Sequence, residues 1–273
     1  MIPYTNMAPY RELGPPSGCR FVSCVPSESV KALQKGIALA AAVPVGGLSV
    51  LKGMVVPAGN FGIAAKEKSL SVLFFSDRPF WEIKAPDRVY ITDESVSSVR
   101  LLYLLLGYQQ GFDGIPYVSG EIEKANGELI IGDKALRKMR LKQGMPSNKR
   151  FGLPDSGFNY VTDMASEWYA VHNLPFVFAR WVIRKDAPKK MLKSLEDWLA
   201  EFKERENELV KNAVPNAAEN LGVPHEDIEA YFHVIRRALN DEDLAGQELF
   251  LQELEKYKRE PLFFMNKRRT NQL

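Results

Sequence analysis

Three serines crowd the start of one apolar run. Ser95, Ser97 and Ser98 stand between a strand-like segment, residues 89–92, and a helical segment, residues 99–106. The first turn of a helix carries unpaired N–H groups and a partial positive charge, and hydroxyls placed there add donors aimed at the same point, so the arrangement suits an anion such as a carboxylate. Ser95 could equally do no more than cap the helix, with its two neighbours as surface polar residues. Asp133 follows a second strand-like segment, residues 128–131, and opens a helix at 134–139; it either caps that helix or reaches into a cleft. Of three histidines, His172, His225 and His233, His172 alone falls where a cleft is expected. Cys19 and Cys24 have no second pair and no nearby histidine, which argues for reduced thiols rather than a zinc site. There is no glycine-rich phosphate loop, no His-Glu-x-x-His and no Gly-x-Ser-x-Gly, and nothing calls for a bound cofactor.

The elements that must position these groups alternate between strand-like and helix-like, the pattern of an α/β fold. Residues 27–35 read as a helix capped by Ser27 and stopped by Gly36, with Val30 and Leu33 facing inward. Residues 37–43 read as a strand buried on both faces, and residues 70–76 as a central strand ended by Asp77-Arg78-Pro79. The run 99–106 is expected to close at Gly107. Beyond a polar Gly/Pro-rich stretch, 143–158, residues 159–164 lead into a helix at 165–171 and then a strand at 174–183. The remainder, 189–257, is helical by period: Leu192, Leu195, Leu199, Phe202 and Leu209 share one face, as do Ile228, Phe232, Ile235 and Leu239.

Length and composition bound the setting. A chain of 273 residues is long for one open-sheet domain and comfortable for two lobes, and 45% hydrophobic with 26% charged residues predicts packed cores. A net charge of +2, from 36 basic and 34 acidic residues, supplies no field for nucleic acid or an anionic membrane, and Lys267-Arg268-Arg269 reads as a solvated tail. Residues 1–16 show no secretory signal, and the most apolar stretch, 37–51, is too short and too rich in Pro44, Gly46 and Gly47 for a membrane span, so a cytoplasmic setting is expected.

Several strings, in order along nearly the whole chain, carry a resemblance. Pro3-Tyr4-Thr5-Asn6-Met7-Ala8-Pro9 is similar to the Tyr-x-Asn-x-x-Pro opening of the futalosine-pathway chorismate dehydratases of menaquinone biosynthesis. Val25-Pro26-Ser27, the segment from Ser71 to Ser76, the turn from Asp93 to Ser98, Gly132-Asp133-Lys134-Ala135-Leu136 and Asp163-Met164 with Trp168 are similarly placed, and Leu174-Pro175-Phe176-Val177-Phe178-Ala179 is the most telling string.

The resemblance implies the type II periplasmic-binding-protein-like fold: two α/β lobes, two crossovers and a ligand cleft between the lobes. The crossovers are expected near Thr92-Asp93 and Phe178-Arg180, giving one lobe of residues 1–92 plus 180–273 with the C-terminal helices, and another of 93–179. It also implies a small dicarboxylate ligand and loss of water from chorismate to an enolpyruvyl-oxybenzoate. Asn6 would then sit near the reacting ring, and Ser97, Ser98 and the helix amides would hold a carboxylate. Ser76, Ser95, Asp133, Phe176, Gly46 and Gly47 complete the expected ligand contacts, the two glycines standing where the family commonly has serines and a glutamate. A non-catalytic carboxylate-binding relative of the same fold is the alternative. A sister enzyme acting later in the pathway shares the fold, and the Leu174–Ala179 string favours the dehydratase over it.

Overall fold

The computed structural model describes residues 1–142 and 157–257; most of the stretch 143–158, and Lys267-Arg268-Arg269, lie outside the described residues. The helices in chain order are α1 (Ala8–Leu13), α2 (Pro26–Gln34), α3 (Ser97–Gln110), α4 (Gly132–Lys142), α5 (Met164–His172), α6 (Lys189–Leu221), α7 (His225–Val234) and α8 (Asp241–Lys256). The strands are β1 (Ala40–Pro44), β2 (Val55–Ala65), β3 (Val72–Ser76), β4 (Arg88–Ile91), β5 (Tyr117–Ser119), β6 (Gly127–Ile131), β7 (Tyr160–Asp163), β8 (Phe176–Arg184) and β9 (Ile235–Ala238).

They form two sheets, one in the order β1-β8-β2-β9 and one in the order β5-β4-β6-β3-β7. β8 is flanked on both edges, and seven of its nine positions are buried, in keeping with an apolar run interrupted only by Arg180 before Arg184. On the first sheet Tyr10 stacks on Phe202 with ring centroids 3.9 Å apart and meets Trp181 and Trp198, so α1 and α6 share one core with β8. On the second, α3 is buried from Ser97 to Gly107 and is accordingly apolar all round.

The chain passes from the first sheet to the second after Ala65 and returns at Phe176. This corrects the expected crossovers at Thr92-Asp93 and Phe178-Arg180: β3 and β4 belong to the second sheet, and β8 lies wholly in the first. A strand's apolar pattern reports that it is buried, not which sheet buries it.

Local differences have equally specific causes. The strand expected from residue 37 starts at Ala40, since Ile37 and Leu39 are 65% and 39% exposed. α2 begins on Pro26, whose fixed φ and missing N–H suit the first helical position, and Ser27 makes no cap. α3 runs through Gly107, where a Cβ would lie 2.5 Å from the Phe112 ring, and ends at Gly111 with φ +71°. Ile235 belongs to β9 rather than to a helical stripe, pairing with Ala65.

Candidate functional site

Asn6 sits on a single 3-10 turn, Thr5–Met7, just before the Pro9-containing first turn of α1. The turn is anchored through its backbone: the Thr5 N–H donates to Asp133 Oδ1 at 2.8 Å, and Arg237 Nε donates to the Asn6 carbonyl at 3.3 Å. The Asn6 side chain is therefore free of structural duty, and its Oδ1 is buried without a protein partner. Buried amide oxygens are almost always satisfied, so an orphan on a cavity wall marks a place for a ligand group or water.

The cavity it lines lies between the two sheets and opens to solvent, with an inner volume of about 50 Å³. Ile63, Phe178 and Ile235 close it from the first sheet, Val72 and Ile131 from the second, and together they make an apolar wall. Its polar groups are Asn6, Tyr4, Ser71, Ser95 and Ser98. Ser71 accepts a hydrogen bond from Tyr231 Oη at 3.1 Å, which leaves its own proton to point elsewhere. Ser95 Oγ accepts from the Ser98 N–H at 3.1 Å and donates to Ser98 Oγ at 3.0 Å, so the capping role is real and the Ser98 hydroxyl becomes the outward donor of the pair. Tyr4 Oη donates to Glu94 at 2.6 Å; burial and that carboxylate push its ionisation well up, so it is a donor and not a base.

No side chain on the wall carries a formal charge. Two buried arginines stand close by in sequence: Arg100, one helical step beyond Ser98, and Arg180, beside the wall residue Ala179. Arg100 donates to the Gly46 carbonyl and Arg180 to the Gly59 carbonyl at 3.1 Å; neither meets a carboxylate among the described residues, and burial lowers the basicity of both. The positive end of α3, at Ser98, biases an uncharged, largely apolar cavity toward an anion.

Of the residues expected from sequence, Asn6, Ser95 and Ser98 meet on this wall, and the others do not. Ser97 is occupied: it accepts from the Gly46 N–H at 2.9 Å and donates to the Phe178 carbonyl at 3.1 Å, fastening α3 to the first sheet. Gly46 is held tight there, since a Cβ would lie 3.1 Å from Ser97 Cα, and Gly47 faces Val30 of α2. Ser76 ends β3 at the opposite end from Ser71 and turns its hydroxyl to the Arg78 carbonyl. Phe176 is core, edge-on to Trp168 and Phe250. Asp133 goes to Thr5. His172 packs on Trp168 at 4.0 Å away from the cavity, and burial lowers its basicity. Ser71 and Tyr4 were missed as contacts although both lay inside strings already singled out; the pairing of Ser71 with Tyr231, which is 160 residues away, has no local signal.

A cavity between two α/β lobes that the chain crosses twice belongs to a two-lobed, periplasmic-binding-protein-like fold, and solved structures share it. A protein of Archaeoglobus fulgidus matches with a TM-score of 0.65 at 12% identity, covering 94% of this chain and 96% of its own. The periplasmic aliphatic sulphonate binding protein SsuA of Escherichia coli matches with a TM-score of 0.51 at 11% identity, covering 89% and 78%. Within that class, the chain belongs to the menaquinone biosynthesis family, whose model matches residues 1–256. It is 26% identical over 269 residues to the chorismate dehydratase of Thermus thermophilus, 92% of each chain being covered. No helix among the described residues is long and apolar enough to cross a membrane.

Proposed function

We propose that this protein is a chorismate dehydratase, a hydro-lyase that removes water from chorismate to give 3-[(1-carboxyvinyl)oxy]benzoate. The observation that carries the reading is the Asn6 amide, buried and unpartnered on the wall of an interlobe cavity whose other polar groups are hydroxyls, those of Ser95 and Ser98 at a helix N-terminus. A ring fits the apolar wall, and its carboxylate fits Ser98 and the positive end of α3.

The chemistry asks little of a base. The proton lost sits on the ring carbon bearing the ether oxygen, and the electron pair left behind is delocalised toward the ring carboxylate. Breaking the C–O bond to the ring hydroxyl then releases water and makes the ring aromatic. Donors that hold the carboxylate lower the barrier by stabilising that developing charge, and Asn6 orients the ring. The substrate's side-chain carboxylate serves as base, in keeping with a wall that holds no carboxylate or imidazole.

Incubation with chorismate followed by mass spectrometry against an enzyme-free control tests this directly. Product above control, with Asn6→Ala lowering turnover about 10²-fold or more while the melting temperature holds, is the expected result. A folded protein that gives no product, yet is stabilised by chorismate against heat, would instead be a carboxylate-binding relative.

A further inference from the structure

Asn6 is gripped from both lobes. Arg237, 1% exposed, belongs to β9 of the first sheet and holds the Asn6 carbonyl; Asp133 opens α4 of the second lobe and takes the N–H of Thr5. Asp133 heads a stripe at helical spacing, Asp133, Arg137 and Arg140, that faces the first lobe along its whole length. Arg137 Nη2 donates to the Asn220 carbonyl at the C-terminal end of α6 at 3.0 Å, and Arg140 pairs with Asp227 in the first turn of α7. Leu136 packs into the first lobe's core between them. Asp133 therefore reaches Thr5 only while α4 is docked across the gap.

We propose that Asp133 is a positioning residue that couples closure of the lobes to the placement of Asn6, so that the amide is set in the cavity when α4 docks and released when it lifts. The proposal rests on the cavity being the reaction site. It gives the Gly132-Asp133 step a role other than ligand contact: the Asp133 carboxylate lies off the wall and accepts from Thr5, on the turn that carries Asn6. A ligand entering the open cleft would meet a mobile amide and, on closure, a fixed one.

Two variants separate this from a purely structural role. Asp133→Ala removes the acceptor, and its kcat for chorismate should fall about tenfold or more with KM within about threefold, because misplacement by a fraction of an ångström is felt in the transition state. Asp133→Asn keeps a carbonyl oxygen for the Thr5 N–H and should restore most of the loss. Hydrogen exchange without substrate supplies the second readout: the Thr5 amide should exchange faster in Asp133→Ala and in Arg137→Ala, and at the wild-type rate in Asp133→Asn. Wild-type kcat in Asp133→Ala, equal losses in the Ala and Asn variants, or Thr5 exchange indifferent to Arg137→Ala would each overturn the coupling. If the wild-type protein does not convert chorismate, the function reading fails, while Thr5 exchange still decides whether α4 docking holds the turn.

Discussion

The two ends of the boundary between the lobes are each organised by an aspartate, and the two are built differently. At the crossovers, Asp163 accepts from the Ser69 N–H and hydroxyl, the Leu70 N–H and the Ala165 N–H, at 2.7 to 3.0 Å, so one carboxylate ties the chain leaving the first sheet to the chain about to return. Leu70 adopts a left-handed φ of +58° within that knot, a conformation that costs a non-glycine residue energy and persists because the surrounding bonds demand it. At the mouth, Asp133 receives only Thr5, and the rest of the α4 contact is Leu136 against the first core with Arg137 and Arg140 reaching a carbonyl and a carboxylate. Dense, short-range bonding at the crossovers makes a pivot. Sparse, long-armed bonding at the mouth makes a joint that can part, which is what a cleft needs if ligand is to enter.

Breaking the pivot should have the largest effect. Asp163→Ala strands three backbone N–H groups, two of them on residues with no exposed surface, and should cost about 3–5 kcal/mol, read as a fall in the urea midpoint at unchanged slope. Gly246→Ala should come next. A Cβ there would lie 2.0 Å from the Pro175 carbonyl, so α8 must move off the second crossover at about 2–3 kcal/mol. If either change left the midpoint in place, the crossovers would not be the rigid end.

Burial raises the carboxyls of both Asp163 and Asp133, and the pH dependence at the mouth tests the Asp133 contact by itself. Burial pushes the Asp133 carboxyl above its ordinary 3.8, against the pull of Thr5 and of the nearby Arg137 and Arg11. An acid raised in the folded state binds its proton more tightly there, so the stability it lends is full below 3.8 and is lost as pH rises through the raised value. Asp133→Asn stays neutral and escapes that loss; its melting temperature should gain on the wild type as the pH is raised from below 3.8. A gap that does not change with pH would place the Asp133 carboxylate in a fully compensated setting, like a core residue and unlike a latch.

How much of this was legible beforehand follows the range of the interactions. The α/β class, β3, β6 and the apolar body of α3 depend on local apolar runs and turn residues, and those read correctly, whereas the expected stop of α3 at Gly107 did not hold. β2 did not: Pro57, Gly59 and Gly62 look like breakers, whereas they shape a bulge where the strand crosses β8, with Gly62 so close that a Cβ would lie 2.2 Å from the Ala179 carbonyl. The serine turn was half legible. Its spacing announces a helix start, but only the tertiary partners, Gly46 and Phe178, show that Ser97 is spent on packing while Ser98 is left for the cavity. Lobe boundaries were misplaced because sheet membership of β3 and β4 is decided by pairing with β6, far along the chain.

The smallest expected effect is at the outer end of the α4 stripe. Arg140, 13% exposed, reaches Asp227, whose side chain is 44% exposed, and a pair open to solvent on the carboxylate side contributes about 1 kcal/mol or less once solvent screening and side-chain ordering are set against its Coulomb attraction. Arg140→Gln should therefore shift the urea midpoint barely at all, and high salt should bring the wild type toward the variant. The change should still be visible in the motion of the joint, since removing even a weak contact from a sparse seam raises the fraction of time it spends open: exchange of the Thr5 amide should quicken in proportion to the stability lost, and more at low salt than at high. A cost for Arg140→Gln approaching that of Asp163→Ala would mean that the mouth is fastened as firmly as the crossovers, and the division into pivot and latch would fall with it.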